Sequence, residues 1–203
     1  MFRLQSSRFL KLAVAAAAFV SHAAFAAPVD FSGALTASDP TYNRPFSLTS
    51  LSAVGTRVSY DLYSFYVNTT GSYSIEALSF GGTAGAGADT FFALYRGAFN
   101  PATPLSNLVQ IDDDSGAGAL SLLTSTLQAN TQYYLAFSSY ANNDFGAYTG
   151  RFNTVSGGGQ VFLGALDVPG TPGTPGQVPE PATLALLPLA LAGMTLARRR
   201  KRA

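Results

Sequence analysis

The stretch Ser59-Tyr60-Asp61-Leu62-Tyr63-Ser64-Phe65-Tyr66-Val67-Asn68-Thr69-Thr70-Gly71-Ser72-Tyr73-Ser74-Ile75-Glu76-Ala77-Leu78 decides the fold class. In its second half Tyr73, Ile75 and Ala77 alternate with Ser72, Ser74 and Glu76, the two-residue period of a strand that is wet on one face only. A helix would repeat its apolar positions every three to four residues, and this segment does not. Asn68-Thr69-Thr70-Gly71 joins the halves with residues that accept turn geometry, so the whole reads as two strands and a connection. The first half differs in carrying aromatics on both faces, from Tyr60 to Tyr66. Two explanations stand: burial on both sides of the strand, or a solvent-facing aromatic platform for sugar rings.

The same rhythm continues outward. β-prone runs cover Ser59 to Val67, Gly71 to Leu78, Thr90 to Tyr95, Leu108 to Ile111, Ser121 to Leu127, Gln132 to Ser139, Ala147 to Phe152 and Gln160 to Leu163. Tyr133, Leu135 and Phe137 form a second inward set. Between the runs fall Gly81 to Gly87, Asn100-Pro101, Asp114-Ser115-Gly116, Ala129-Asn130 and Asn142-Asn143-Asp144, residues that tolerate positive φ or cap turns with their side chains. The expectation is an all-β chain, an antiparallel β-sandwich or jelly roll of about eight strands, flanked by an N-terminal signal helix and a C-terminal apolar helix.

The net charge of +1 over 203 residues conceals a strong asymmetry. Arg3, Arg8 and Lys11 lie at one end and Arg198, Arg199, Arg200, Lys201 and Arg202 at the other. Between Ala27 and Val178 only Arg44, Arg57, Arg96 and Arg151 face ten carboxylates, a balance of −6. Such a surface lacks the clustered cations that displace counterions from a phosphate backbone, which excludes nucleic acid as partner. That central segment has no Lys, His, Cys or Met. Disulfides, thiolate metal sites, thiol nucleophiles and His-based triads are therefore unavailable, and the body is expected not to be an enzyme.

Each end has its own order. Arg3, Arg8 and Lys11 precede an apolar run from Leu12 to Val20, and Ala24 and Ala26 are the small residues that signal peptidase requires, placing cleavage after Ala26 or one residue later. At the other end Pro179-Glu180-Pro181 leads into an apolar stretch from Ala182 to Ala197, interrupted by Pro188, and then into five cations. The stretch is shorter than the ~20 residues that span a bilayer comfortably, and its cations are expected to stay cytoplasmic. A Pro-Gly-Thr spacer precedes it. The organisation expected is 1–26 signal peptide, 27–167 β-sandwich domain, 168–177 linker, and 178–203 sorting tail with a short transmembrane helix.

Val178-Pro179-Glu180-Pro181-Ala182-Thr183, the Leu/Ala stretch and the Arg-rich terminus together resemble the PEP-CTERM protein-sorting signal. The resemblance implies Sec export, transient residence in the inner membrane of a Gram-negative bacterium, and cutting near Pro179, Glu180 and Pro181 by exosortase, with Arg198, Arg199, Arg200, Lys201 and Arg202 retained inside. It further implies delivery to the cell surface or an extracellular matrix, in organisms that make exopolysaccharide and biofilm. An anchor that is never cut is the alternative.

A second resemblance covers residues 60–152. Asp89-Thr90-Phe91-Phe92-Ala93-Leu94-Tyr95, Phe99-Asn100-Pro101, Asp112-Asp113-Asp114-Ser115-Gly116 and Gly146-Ala147-Tyr148, in that order, resemble the bacterial pre-peptidase C-terminal type of β-sandwich, with Asn100 standing where that pattern has Asp. It implies an accessory module of a secreted protein, without chemistry of its own.

Asp112, Asp113 and Asp114 are the one candidate metal-ligating constellation. Adjacent carboxylates repel unless hydrated or bridged by a cation, and hard oxygens suit Ca²⁺. An EF-hand would need Gly where Ala117 stands and Glu where Leu123 stands, so that motif is absent. Asp89 and Asp144 are the further oxygen donors that folding could supply. A solvated acidic turn is the competing reading. Two functional classes result: a non-enzymatic surface or matrix protein, and a carbohydrate-binding module using exposed Tyr and Ca²⁺.

Overall fold

A computed structural model describes residues 26–82 and 88–166. The chain divides into a unit Met1–Leu166 and a unit Asp167–Ala203, and the fold below is that of the first. The expected signal helix, linker and apolar tail helix lie outside the described residues. Among the described residues no helix is long and apolar enough to cross a membrane.

Among the described residues twelve strands form the fold: β1 (Val29–Leu35), β2 (Thr41–Tyr42), β3 (Pro45–Ser47), β4 (Ser50–Leu51), β5 (Val58–Val67), β6 (Gly71–Phe80), β7 (Thr90–Arg96), β8 (Leu108–Asp112), β9 (Leu122–Leu127), β10 (Tyr133–Ser139), β11 (Gly146–Ser156) and β12 (Val161–Leu163). Every run read from the sequence is a strand, and β1 to β4 are additional. The class is all-β and antiparallel, with one sheet ordered β1-β11-β6-β9, a second ordered β12-β5-β10-β7-β8 that also carries β2 on β5, and a small β3-β4 hairpin.

Alternation explains where the core sits. Phe65 and Val67 of β5, Tyr73, Ile75 and Ala77 of β6, Phe92 and Leu94 of β7, Leu135 and Phe137 of β10, and Phe152 of β11 point into one cluster fed by both sheets. Register fixes the contacts: Phe137 stands opposite both Asp61 and Phe92, and its ring stacks on Tyr148 with centroids 3.6 Å apart. Ring contacts of this kind add about 0.5–1.5 kcal/mol each to the area they bury. Gly150 on β11 has a packing reason, since a Cβ there would lie 2.2 Å from the Phe31 ring.

A second cluster lies on the outer face of the larger sheet. Val58, Tyr60, Phe91, Ala93, Tyr95 and Ala136, the residues of opposite parity, are covered by Tyr42 and by Phe99. Tyr60, Tyr42 and Phe99 meet edge to face at 5.1–5.8 Å, and the loop ring Phe99 also reaches Tyr95 at 4.8 Å. β7 is therefore buried on both faces. This decides the two explanations for the aromatic strand β5 in favour of burial at its Tyr60 end. At the other end Tyr66 stacks on Phe162 of β12 at 5.1 Å and 12°, so the two rings spend one face each on one another rather than forming a flat platform.

Turn chemistry follows the sequence. Asn107, Asn130 and Asn143 take positive φ (62°, 52° and 57°), a conformation in which their short amide side chains are tolerated.

Candidate functional site

At one end of the larger sheet, β7 begins immediately after Asp89, while β8 ends at Asp112 and turns back through Asp113, Asp114 and Ser115 toward β9. The pairing of Phe92 with Asp112 brings these two segments side by side. Two buried hydroxyls fasten them. Ser121 N–H donates to Thr90 Oγ1 (2.8 Å), Thr90 Oγ1 donates to Ser121 Oγ (3.0 Å), and Ser121 Oγ donates to the Asp113 carbonyl (3.0 Å).

The three consecutive aspartates divide their roles. Asp112 Oδ2 accepts the backbone N–H of Leu122 (2.7 Å) and of Ser115 (3.2 Å), which closes the turn. Asp113 and Asp114 instead join Asp89, with one carboxylate oxygen from each residue lying within 4.8 Å of the others. Of the residues read as metal ligands, the structure thus groups Asp113 and Asp114, adds Asp89, and gives Asp112 a structural duty. Asp89 Oδ1 and Asp113 Oδ1 are buried without a hydrogen-bond partner. Asp144, the other named donor, is almost fully buried (2 % exposed) and close enough to Asp89 to act on its charge.

Burial, then repulsion from Asp114, pushes both Asp89 and Asp113 from the usual 3.8 up to about 6. Arg44 opposes this shift at both residues. Its guanidinium is itself buried, held between the rings of Phe91 (4.3 Å) and Tyr140 (4.1 Å), with Nε donating to the Tyr140 carbonyl (2.8 Å). Gly55 keeps that slot open, because a Cβ there would lie 2.4 Å from Arg44 Nε.

A groove of about 380 Å³ opens above these groups, walled by Phe46, Ile111 and Tyr140 on the apolar side and by Asp112, Asp113 and Asp114 on the other. One buried cation faces several carboxylates, and two of the carboxylate oxygens lack any donor. Such a set fits a hard divalent cation with oxygen preference, Ca²⁺ above transition metals.

The sequence had no means of finding Arg44, Phe46 and Tyr140 as walls of this groove, since Arg44 and Phe46 precede Asp89 by more than 40 positions and Tyr140 follows Asp114 by 26, in segments without strand periodicity. Ala26 lies half-buried just ahead of β1. Ala24, the motif Pro179, Glu180 and Pro181, and the basic cluster Arg198, Arg199, Arg200, Lys201 and Arg202 fall outside the described residues.

Residues 177–201 match the PEP-CTERM protein-sorting motif. No curated protein matches the chain. The motif marks an exported chain that is anchored transiently in a membrane, processed by exosortase and destined for the cell surface.

Proposed function

We propose that the mature domain is a non-enzymatic surface or extracellular-matrix module, associated with exopolysaccharide or biofilm in a Gram-negative bacterium. Signal peptidase removes the leader after Ala26, and the body, once released near Pro179-Glu180-Pro181, acts by adhesion or matrix association. The sorting motif at residues 177–201 carries this reading. The lack of His, Cys and Lys between Ala27 and Val178 supports the non-enzymatic part. The succession of sequence segments from Tyr60 to Phe152 is what suggests an accessory module resembling the pre-peptidase C-terminal sandwich.

The test is mass spectrometry of the protein from cells with and without exosortase. The expected result is a product ending near Glu180 in the envelope or medium of normal cells, and a full-length form held in the inner membrane of the deletion strain. Full-length chain with Arg198 to Arg202 intact, as the sole form in both strains, would contradict processing.

The grouping of Asp89, Asp113 and Asp114 favours one second reading, a calcium-dependent carbohydrate-binding module. It requires glycan-array signal that disappears in EDTA and returns with Ca²⁺. Binding indifferent to EDTA removes the calcium, and no binding to any glycan returns the domain to the structural reading.

A further inference from the structure

We infer that the acidic groove and the β3-β4 hairpin that walls it form one docking surface for a partner protein, whose Lys or Arg side chain enters the groove while its apolar neighbours pack on the hairpin. This rests on the association proposed above for the mature domain, and adds the chemistry of what is bound. Charge calls for the cation. Asp112, Asp113 and Asp114 line the groove, and Asp89 and Asp144 belong to the same set of mutually repelling acids. Arg44 opposes them, but it is 2 % exposed, lies between two rings and already donates to the carbonyls of Tyr140 and Pro45. Five carboxylates thus meet one committed guanidinium. The balance of −6 between Ala27 and Val178 repels an acidic partner and steers a basic one.

The apolar surface calls for a polypeptide. A bare metal ion would use the carboxylates and leave Phe46, Ile111 and Tyr140 of the groove wall unused. Phe46 stands 71 % exposed, and Leu48 (53 %), Leu51 (41 %) and Val54 (50 %) follow it on or just after the hairpin. Half of the eight large apolar side chains exposed among the described residues therefore fall within nine positions, a concentration of the kind that marks a protein contact. A sugar ring stacked on Phe46 would leave the other three uncovered. A segment with a cation flanked by apolar residues covers both kinds of surface, and the methylene stem of Lys or Arg packs along apolar walls while its head reaches the acids.

The surface is braced before any partner arrives. Arg44 N–H donates to the Gly55 carbonyl and Ser52 N–H to the Arg44 carbonyl, both at 2.9 Å. Ser52 Oγ accepts the N–H groups of Val54 (3.1 Å) and Gly55 (3.0 Å). The residue whose guanidinium faces the acids thus also closes the base of the hairpin segment, so the acidic and apolar halves share one support. Binding to such a preformed surface orders little backbone.

Random peptides displayed on phage are selected against the full-length protein in nonionic detergent, and the affinity of the enriched sequences is measured by fluorescence anisotropy. They are expected to carry Lys or Arg flanked by apolar residues, and changing that cation to Gln is expected to weaken binding about tenfold or more, as for a charged hydrogen bond. D114N is expected to cost a similar factor, and so is F46S, which truncates an aromatic anchor. E76Q on β6 and V155S on β11, which remove a carboxylate and an exposed apolar side chain elsewhere, are expected to leave affinity unchanged. Enrichment of acidic or cation-free peptides overturns the inference, as does no enrichment, or equal losses in E76Q and V155S. Peptide binding that vanishes in EDTA gives the groove to a metal ion and overturns it too. A glycan bound with the same dependence on Asp114 and Phe46 gives the surface to a sugar, which overturns the protein partner while leaving the matrix reading intact.

Discussion

The space between the sheets and the groove at the end of β7 obey opposite rules. Between the sheets every large side chain is apolar or, like Tyr73 and Tyr148, has its hydroxyl engaged: Tyr73 OH donates to the Thr69 carbonyl (2.6 Å) and Tyr148 OH to Asp61 Oδ2 (2.5 Å). At the groove, carboxylate oxygens are buried without donors, a guanidinium is enclosed by aromatic rings, and Phe46 stands in solvent beside them. The first region is what alternation makes when nothing but folding is asked of it. The second departs from that pattern in three ways at once, and such departures concentrate where a protein does something besides fold.

The comparison can be broken most forcefully from the core side. Phe137→Ala removes a fully buried ring that touches Phe92, Phe80 and Tyr148, and is expected to cost about 3–5 kcal/mol in urea denaturation. Arg44→Met keeps much of the packing between Phe91 and Tyr140 but deletes the cation facing Asp89 and Asp113. A loss of about 1–2 kcal/mol at pH 7.5 is expected, since it removes a cation that acts on two half-buried carboxylates partly screened by water. A loss under about 1 kcal/mol would mean that water already screens the acids.

Asp113→Asn sharpens the contrast by going the other way. The folded value near 6 exceeds the unfolded 3.8, so the folded state binds the proton more tightly. Stability tied to this group is present below pH 3.8 and is lost as pH rises toward 6, which is the reverse of a salt-bridged carboxylate. The substitution is expected to stabilise by about 1 kcal/mol at pH 7.5, after screening by the water that reaches the group, and to have no effect below the unfolded value. A destabilising result at pH 7.5 would show that the ionised form is needed, as it would be for a bound cation. Smallest of all, Phe46→Ser is expected to change stability by no more than about 0.5 kcal/mol, because the side chain it removes is mostly solvated.

Legibility in the sequence divides along the same line. The eight runs from Ser59 to Leu163 were readable because each alternates or is uniformly β-prone, and each became a strand. β1 escaped although Val29, Phe31 and Leu35 alternate: Gly33 breaks the pattern, and it is Gly because Tyr148 OH occupies the space of a Cβ. β2, β3 and β4 are two or three residues long, too short to have a period at all. The acids of the groove were visible as Asp112 to Asp114, but not their division of labour. Whether a carboxylate caps Leu122 N–H or faces Asp89 is decided by the register of β7 against β8, which no local pattern encodes.

The chain leaves the domain through β12, and that exit has a mechanical meaning. Val161, Phe162 and Leu163 pair with Val67, Tyr66 and Phe65 at the rim of the larger sheet, and these three rungs are the last ladder before the tail. Any tension transmitted along the chain meets the hydrogen bonds of Leu166 N–H to Gln132 Oε1 and of Gly164 N–H to the Ser64 carbonyl, and then these three rungs, before it reaches the packed interior. A short rim strand yields by peeling, rung by rung, so a pull on the tail that opens these two bonds is expected to strip Phe162 from its stacked partner Tyr66 before it opens the sheets behind.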